Sequence, residues 1–183
     1  MDKFEIVSGT LVCSDPCYSI PTWCQGIVEN VKKGTWYAEV EEVNSFGDRI
    51  AELRIHHKDS HFLSGRFEPL NFNAGVDSGQ FGFFDKDFYR NDEKAKELNK
   101  HDFGDGYDTE EGDEWYRACC DLTLASEQWG VLPNGVVSSS GYGDGSYEVF
   151  GQKNKDGEYV AFQVVFIDQT EEEEEDEWGE EEE

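Results

Sequence analysis

Basic residues are scarce in this chain. Its 183 residues hold 15 lysines and arginines against 42 aspartates and glutamates, a formal net charge of −27. A surface of that sign repels nucleic-acid backbones and anionic membranes and attracts basic partners. Direct nucleic-acid binding is therefore not expected. Long apolar runs are missing as well, since nothing approaches the ~20 residues of a membrane span. There is no Cys-x₂-Cys pair, so the usual zinc framework is absent, and Cys119 and Cys120 on a helix would point about 100° apart. The five cysteines, Cys13, Cys17, Cys24, Cys119 and Cys120, are odd in number and follow the polar opening "MDKFEIV". That combination predicts a reduced, cytoplasmic setting. No nucleophile–base motif links Cys17, the thiol best placed to react after its turn, to His56, His57, His61 or His101. "GYGDG" lacks the lysine of a phosphate loop and does not precede a helix.

What the chain has in abundance is aromatic and acidic residues. Aromatics make up 14%, with 13 phenylalanines, enough for a core in a domain that needs no metal or disulfide. Eleven of the 42 acids lie in "TEEEEEDEWGEEEE" (170–183), so the remainder still carries −16. The expected organisation is one globular domain over 1–169 and a disordered acidic tail over 170–183.

The expected fold is α+β: a mostly antiparallel sheet with a C-terminal β-meander and two to three helices packed on it. "KFEIVSGTLVCSDP" reads as a strand or hairpin bent at Ser8-Gly9, and "PTWCQGIVENVKKG" as a short helix with Trp23, Ile27 and Val31 on one face. Residues 35–43 and 49–57 pair antiparallel, with a bulge near Ala51. Pro69 places "RFEPLNF" at a sheet edge. "DKDFYRNDEKAKELNK" and "DEWYRACCDLTLA" have helical composition. Four strands follow, at about 127–132, 135–141, 146–152 and 158–168. The last is apolar on both faces and so central. "GYGDG" reads as the reversal between the middle two.

Three stretches carry local chemistry: "SDPCY" (14–18), "GVDSGQFGF" (75–83) and "SGYGDGSYEVF" (140–150). Each sets one aspartate, Asp15, Asp77 or Asp144, against Gly, Pro or Ser at a strand end. Were the three to meet, they would offer oxygen ligands to Ca²⁺ or Mg²⁺; otherwise each caps its own turn. The candidate ligand-binding set is Asp15, Cys17, Tyr18, Asp77, Ser78, Tyr142, Asp144 and Tyr147, the tyrosines supplying apolar walls with hydroxyl tips.

The order and spacing of these motifs resemble an uncharacterised domain family of bacterial and phage proteins. In that family a "DP" turn follows a strand, a "VD-G" segment comes next, and a "SGxGDGxYxV" segment leads into a final apolar strand. The resemblance covers the chain apart from the acidic insert near 101–114 and the tail. It implies a fold and a phage-type origin, and no catalytic residue.

The leading functional expectation is a non-enzymatic protein that docks its acidic surface on a basic host protein, as a DNA mimic or counter-defence factor. The partner-binding candidates are Glu171, Glu172, Glu173, Glu174, Glu175, Asp176 and Glu177. The alternative is a small-ligand or divalent-metal-binding domain, a hydrolase among the options, at convergent Asp/Gly turns. A third is an acidic chaperone-like protein that keeps a basic client in solution.

Overall fold

The computed structural model describes residues 2–60, 66–98 and 110–170. These residues form a sandwich of two antiparallel sheets, with two short helices laid over one of them. The architecture is mostly antiparallel β and α+β-like. The acidic insert and the tail, including Glu171–Glu177, fall outside the described residues, apart from 110–114 and Thr170.

The larger sheet has six strands: β1 (Asp2–Ile6), β4 (Gly34–Asn44), β5 (Asp48–His57), β11 (Tyr159–Val165), β10 (Gly145–Lys153) and β6 (Glu68–Val76), in that order. The smaller has five: β3 (Gly26–Val28), β2 (Leu11–Ser14), β7 (Gln80–Asp85), β9 (Gly135–Ser139) and β8 (Trp129–Leu132). Alternation decides what each strand buries. Phe4, Ile6, Trp36, Leu53, Ile55, Phe162 and Val164 of the larger sheet meet Leu11, Cys13, Phe81, Phe83 and Val136 of the smaller. The outer face of the smaller sheet is apolar too. Val12, Phe84 and Val137 pack there against Trp115, Ala118 and Cys119 of α2 (Asp113–Thr123) and Ala95 of α1 (Asp92–Ala95). Asp92 joins the two helices by capping the second: its carboxylate accepts the N–H of Gly112 at 2.7 Å and of Trp115 at 3.1 Å.

The pair over 35–43 and 49–57 forms as expected, and the register slips where Glu41 faces Glu52 and Glu42 faces Ile50. Ala51 is the extra residue, and its carbonyl accepts the N–H groups of Phe166 and Ile167. β6 lies at a sheet edge and β11 between two neighbours, both as expected.

Four local expectations are corrected. Residues 22–34 form no helix. Trp23 and Ile27 are exposed, at 94% and 40%, while Cys24, Gly26 and Val28 face inward along a turn at Trp23–Cys24 that leads into β3. Cys24 and Val28 fit both a period of 3.6 and a period of two, so pattern alone did not separate the states. In the 85–100 stretch, the described helix is only Asp92–Ala95. The four C-terminal strands do not make one meander, because β8 and β9 lie in the smaller sheet and β10 and β11 in the larger. Lastly, "GYGDG" does not close a hairpin: β9 pairs with β7 and β8, β10 with β6 and β11. Positive φ at Gly141 (58°) and Gly143 (114°) serves a crossing between sheets, and glycine permits a crossing as readily as a reversal.

Candidate functional site

Three connections adjoin near the same end of the sandwich and carry the three motifs; the β2–β3 connection stays within the smaller sheet, while the β6–β7 and β9–β10 connections cross from one sheet to the other. The first follows β2. Asp15 is fully buried there, and four donors saturate its carboxylate. Oδ1 accepts the Cys17 N–H at 2.8 Å and the Ser78 hydroxyl at 2.6 Å. Oδ2 accepts the N–H groups of Asp77 at 2.8 Å and Ser78 at 2.7 Å. The "DP" turn thus holds the β6–β7 crossing from inside, and charge-assisted bonds of this kind are the stronger class.

The second connection, Asp77–Gly79, touches the third. Ser140 donates its N–H to the Gly79 carbonyl at 3.0 Å. The Tyr147 hydroxyl steadies this third connection, between β9 and β10, by donating to the Gly143 carbonyl at 2.7 Å. Its neighbour Tyr142 lies half-exposed under the Arg49 guanidinium, 4.9 Å from the ring centroid. The turns therefore adjoin, while the aspartates play different parts. Asp15 is an internal acceptor, Asp77 takes the hydroxyl of Tyr18, and Asp144 is exposed. Among the described residues, no group of three or more His, Cys, Asp or Glu is arranged to hold a metal ion. The sequence-predicted set thus divides into Asp15, Cys17, Tyr18, Asp77 and Ser78 together, and Tyr142, Asp144 and Tyr147 on the adjoining turn.

The electrostatics bear on reactivity. Burial pushes the Cys17 thiol up to about 12, helped by its bond to Asp15 and the charges of Asp15 and Asp77. At neutral pH it is a thiol, not a nucleophilic thiolate. The Tyr18 hydroxyl is raised chiefly by its hydrogen bond to Asp77. Tyr116, whose hydroxyl meets Ser78 and Cys120, is pushed up to about 12 by burial. His56 and His57 sit far from these turns in β5, with His57 buried against Trp36. His61 and His101 fall outside the described residues.

Beside the Asp77 crossing lies a groove of about 470 Å³, lined by Tyr18, Trp23, Phe72, Asn73, Asp77 and Ser146 among others. Close backbone approach builds it. A Cβ on Gly26 would stand 1.9 Å from the tip of the Phe72 ring, and one on Gly75 would stand 2.7 Å from Cβ of Cys24. Gly75 also donates its N–H to the Cys24 carbonyl at 3.1 Å. The loop that presents Trp23 is fastened at both ends. Tyr89 donates its hydroxyl to the Tyr18 carbonyl at 2.6 Å, and the Gln25 side chain accepts the Thr22 N–H at 2.8 Å. The candidate set that the motifs supply does not contain Trp23, Phe72, Gln25 or Tyr89. An indole in the Pro-Thr-Trp turn context was the available signal.

A family model described as "Protein of unknown function (DUF4241)" matches residues 4–164. The chain belongs to the DUF4241 family. The region matched by the DUF4241 model runs from Phe4 in β1 to Val164 in β11, so it includes the three connections and the groove. The acidic tail lies beyond it. No curated protein and no solved structure matches the chain.

Proposed function

We propose that this member of the DUF4241 family is a non-enzymatic interaction protein that binds a basic protein partner through its acidic surface. The observation that carries this reading is the charge: −27 overall, and −16 with the eleven acids of residues 170–183 set aside. The acids are tolerated at a cost to the fold. Glu41 and Glu52 stand directly opposite on β4 and β5, where like charges oppose pairing. Arg54 is the basic residue between them and Glu39, at 2.9 Å from Glu52 and 3.3 Å from Glu39. A surface that keeps such pairs suits long-range attraction of a basic partner, which fixes on-rate and specificity more than final affinity. Nucleic-acid-handling proteins present basic faces of this kind, so a phage-type DNA mimic acting in the host cytoplasm is the specific form of the reading. The eleven acids of residues 170–183 add to the attraction.

The test is capture from a host lysate at low and at moderate ionic strength. A basic partner is expected at low salt and lost as salt shortens the screening length to about 8 Å. Removal of residues 171–183 is expected to weaken capture without abolishing it. Recovery of no basic protein at low salt sinks the reading. The metal-binding alternative has less support, since protein donors already occupy the Asp15 carboxylate.

A further inference from the structure

We infer that the groove between Trp23 and Asp77 is a receptor for an arginine side chain of the basic partner. The inference rests on the acidic-partner reading and gives that reading a location and a residue type. Trp23 is 94% exposed, an uncommon position for the largest apolar side chain. Its exposure is not that of a loose loop. The segment is pinned on one side by the Tyr89–Tyr18 bond and on the other by Gln25, which also donates to Ser14 Oγ at 3.0 Å. An aromatic ring held out on a fixed backbone loses little freedom on binding, the usual character of an interface anchor.

The rest of the groove specifies what the anchor accepts. Tyr18 and Phe72 add ring surface, and Asn71 and Asn73 add amide groups from the edge strand β6. Asp77 supplies the charge, and among the described residues its carboxylate takes one side-chain donor, the Tyr18 hydroxyl. A guanidinium fits all three elements at once. Its plane stacks on an indole face, its N–H groups reach a carboxylate, and it is less strongly hydrated than an ammonium. A phosphate or carboxylate ligand meets the wrong sign of charge here. A purely apolar ligand strips water from the Asp77 carboxylate and offers it no donor beyond the Tyr18 hydroxyl.

The test uses the full chain and two synthetic peptides of equal length and charge, one alternating Arg with Gly and the other Lys with Gly, titrated by calorimetry at low salt. The Arg peptide is expected to bind at least about threefold more tightly than the Lys peptide. Trp23→Ala is expected to weaken the Arg peptide about fivefold and to leave the melting temperature unchanged, since the side chain is exposed. Trp23→Leu, which keeps apolar bulk and lacks a π face, is expected to lose the preference for Arg over Lys. Asp77→Asn is expected to weaken both peptides. Equal affinities for the two peptides, no binding of either, or unchanged Arg-peptide affinity in both Trp23 variants overturns the assignment. Those results leave the acidic-partner reading standing if a salt-sensitive basic protein is still captured from lysate. That reading falls instead when no such protein is captured, whatever the peptides do.

Discussion

Oδ2 of Asp15 accepts the backbone N–H of Asp77 at 2.8 Å, across 62 positions of sequence. A short range of chain at the end of β2 thereby fixes where β6 leaves one sheet and β7 enters the other. The same device recurs at the opposite end of the β2–β7 pair. The buried Asp85 accepts the N–H groups of Val7 at 2.5 Å and Ser8 at 2.9 Å, and so holds the β1–β2 crossing.

Asp15→Asn keeps the size of the side chain and halves its acceptors. An amide NH₂ would then face backbone N–H groups that have no other partner. The expected loss is about 3 kcal/mol of folding stability, measured by urea denaturation. A loss below about 1 kcal/mol would show that the four bonds are dispensable.

Cys17 is expected to alkylate slowly at neutral pH. Burial and two neighbouring carboxylates raise its thiol to about 12, so the thiolate fraction is minute near pH 7. Mass-spectrometric labelling with iodoacetamide, read at this residue, should give a rate that still climbs with pH beyond the ordinary cysteine range. A plateau near pH 7 would mark an activated thiol and revive covalent catalysis.

His57 links stability to pH. Its Nε2–H donates to the Lys33 carbonyl at 3.0 Å, and its Nδ1 accepts the Asp59 N–H at 3.2 Å, so the neutral ring uses both nitrogens. Burial, the main cause, holds the folded pKa below the ordinary 6.5; Lys32 and Lys58 act the same way, and the Lys33 carbonyl and Asp59 act against it. The unfolded chain therefore takes up the proton more readily. This contribution is fully present above about pH 6.5 and is lost as pH falls through the lower folded value. His56 is lowered by burial too and adds a slope of the same sign. The melting-temperature advantage of the parent chain over His57→Asn is expected to shrink below pH 6.5. Parallel melting curves across that range would exclude the linkage.

Gly26 is expected to tolerate no side chain while Phe72 is in place. A Cβ there meets three atoms of that ring within 2.4 Å, so Gly26→Ala must swing Phe72 out of the groove. The expected cost is about 1–3 kcal/mol by thermal melting. Phe72→Ala in the same chain should remove most of the added penalty, because the two positions share one volume. Additive effects would mean that the strain lies in the backbone instead.

Much of the strand content was legible because half-buried strands alternate. Trp36, Ala38 and Val40 in β4, and Phe162 and Val164 in β11, announce both state and burial. The Ala51 bulge showed as a break in the same period. The "DP", "VDSG" and "GYGDG" segments were recognisable as turns from Asp, Gly and Pro chemistry. Helices were harder. Cys24 and Val28 satisfy both periods, and what decides for strand is a long-range partner, β2, that local sequence does not name.

The sequence by itself determined the charge, most of the strands and turns, and the glycines able to take positive φ, since these follow from side-chain chemistry and backbone sterics. Tertiary structure alone decided which turns cross between sheets, that Asp15 is an internal acceptor while Asp144 faces outward, and that Trp23 stands exposed over a groove. A turn permits many directions of exit. The choice among them is made by burying apolar faces from distant strands against one another, an energy shared by the whole sandwich and written at no single position.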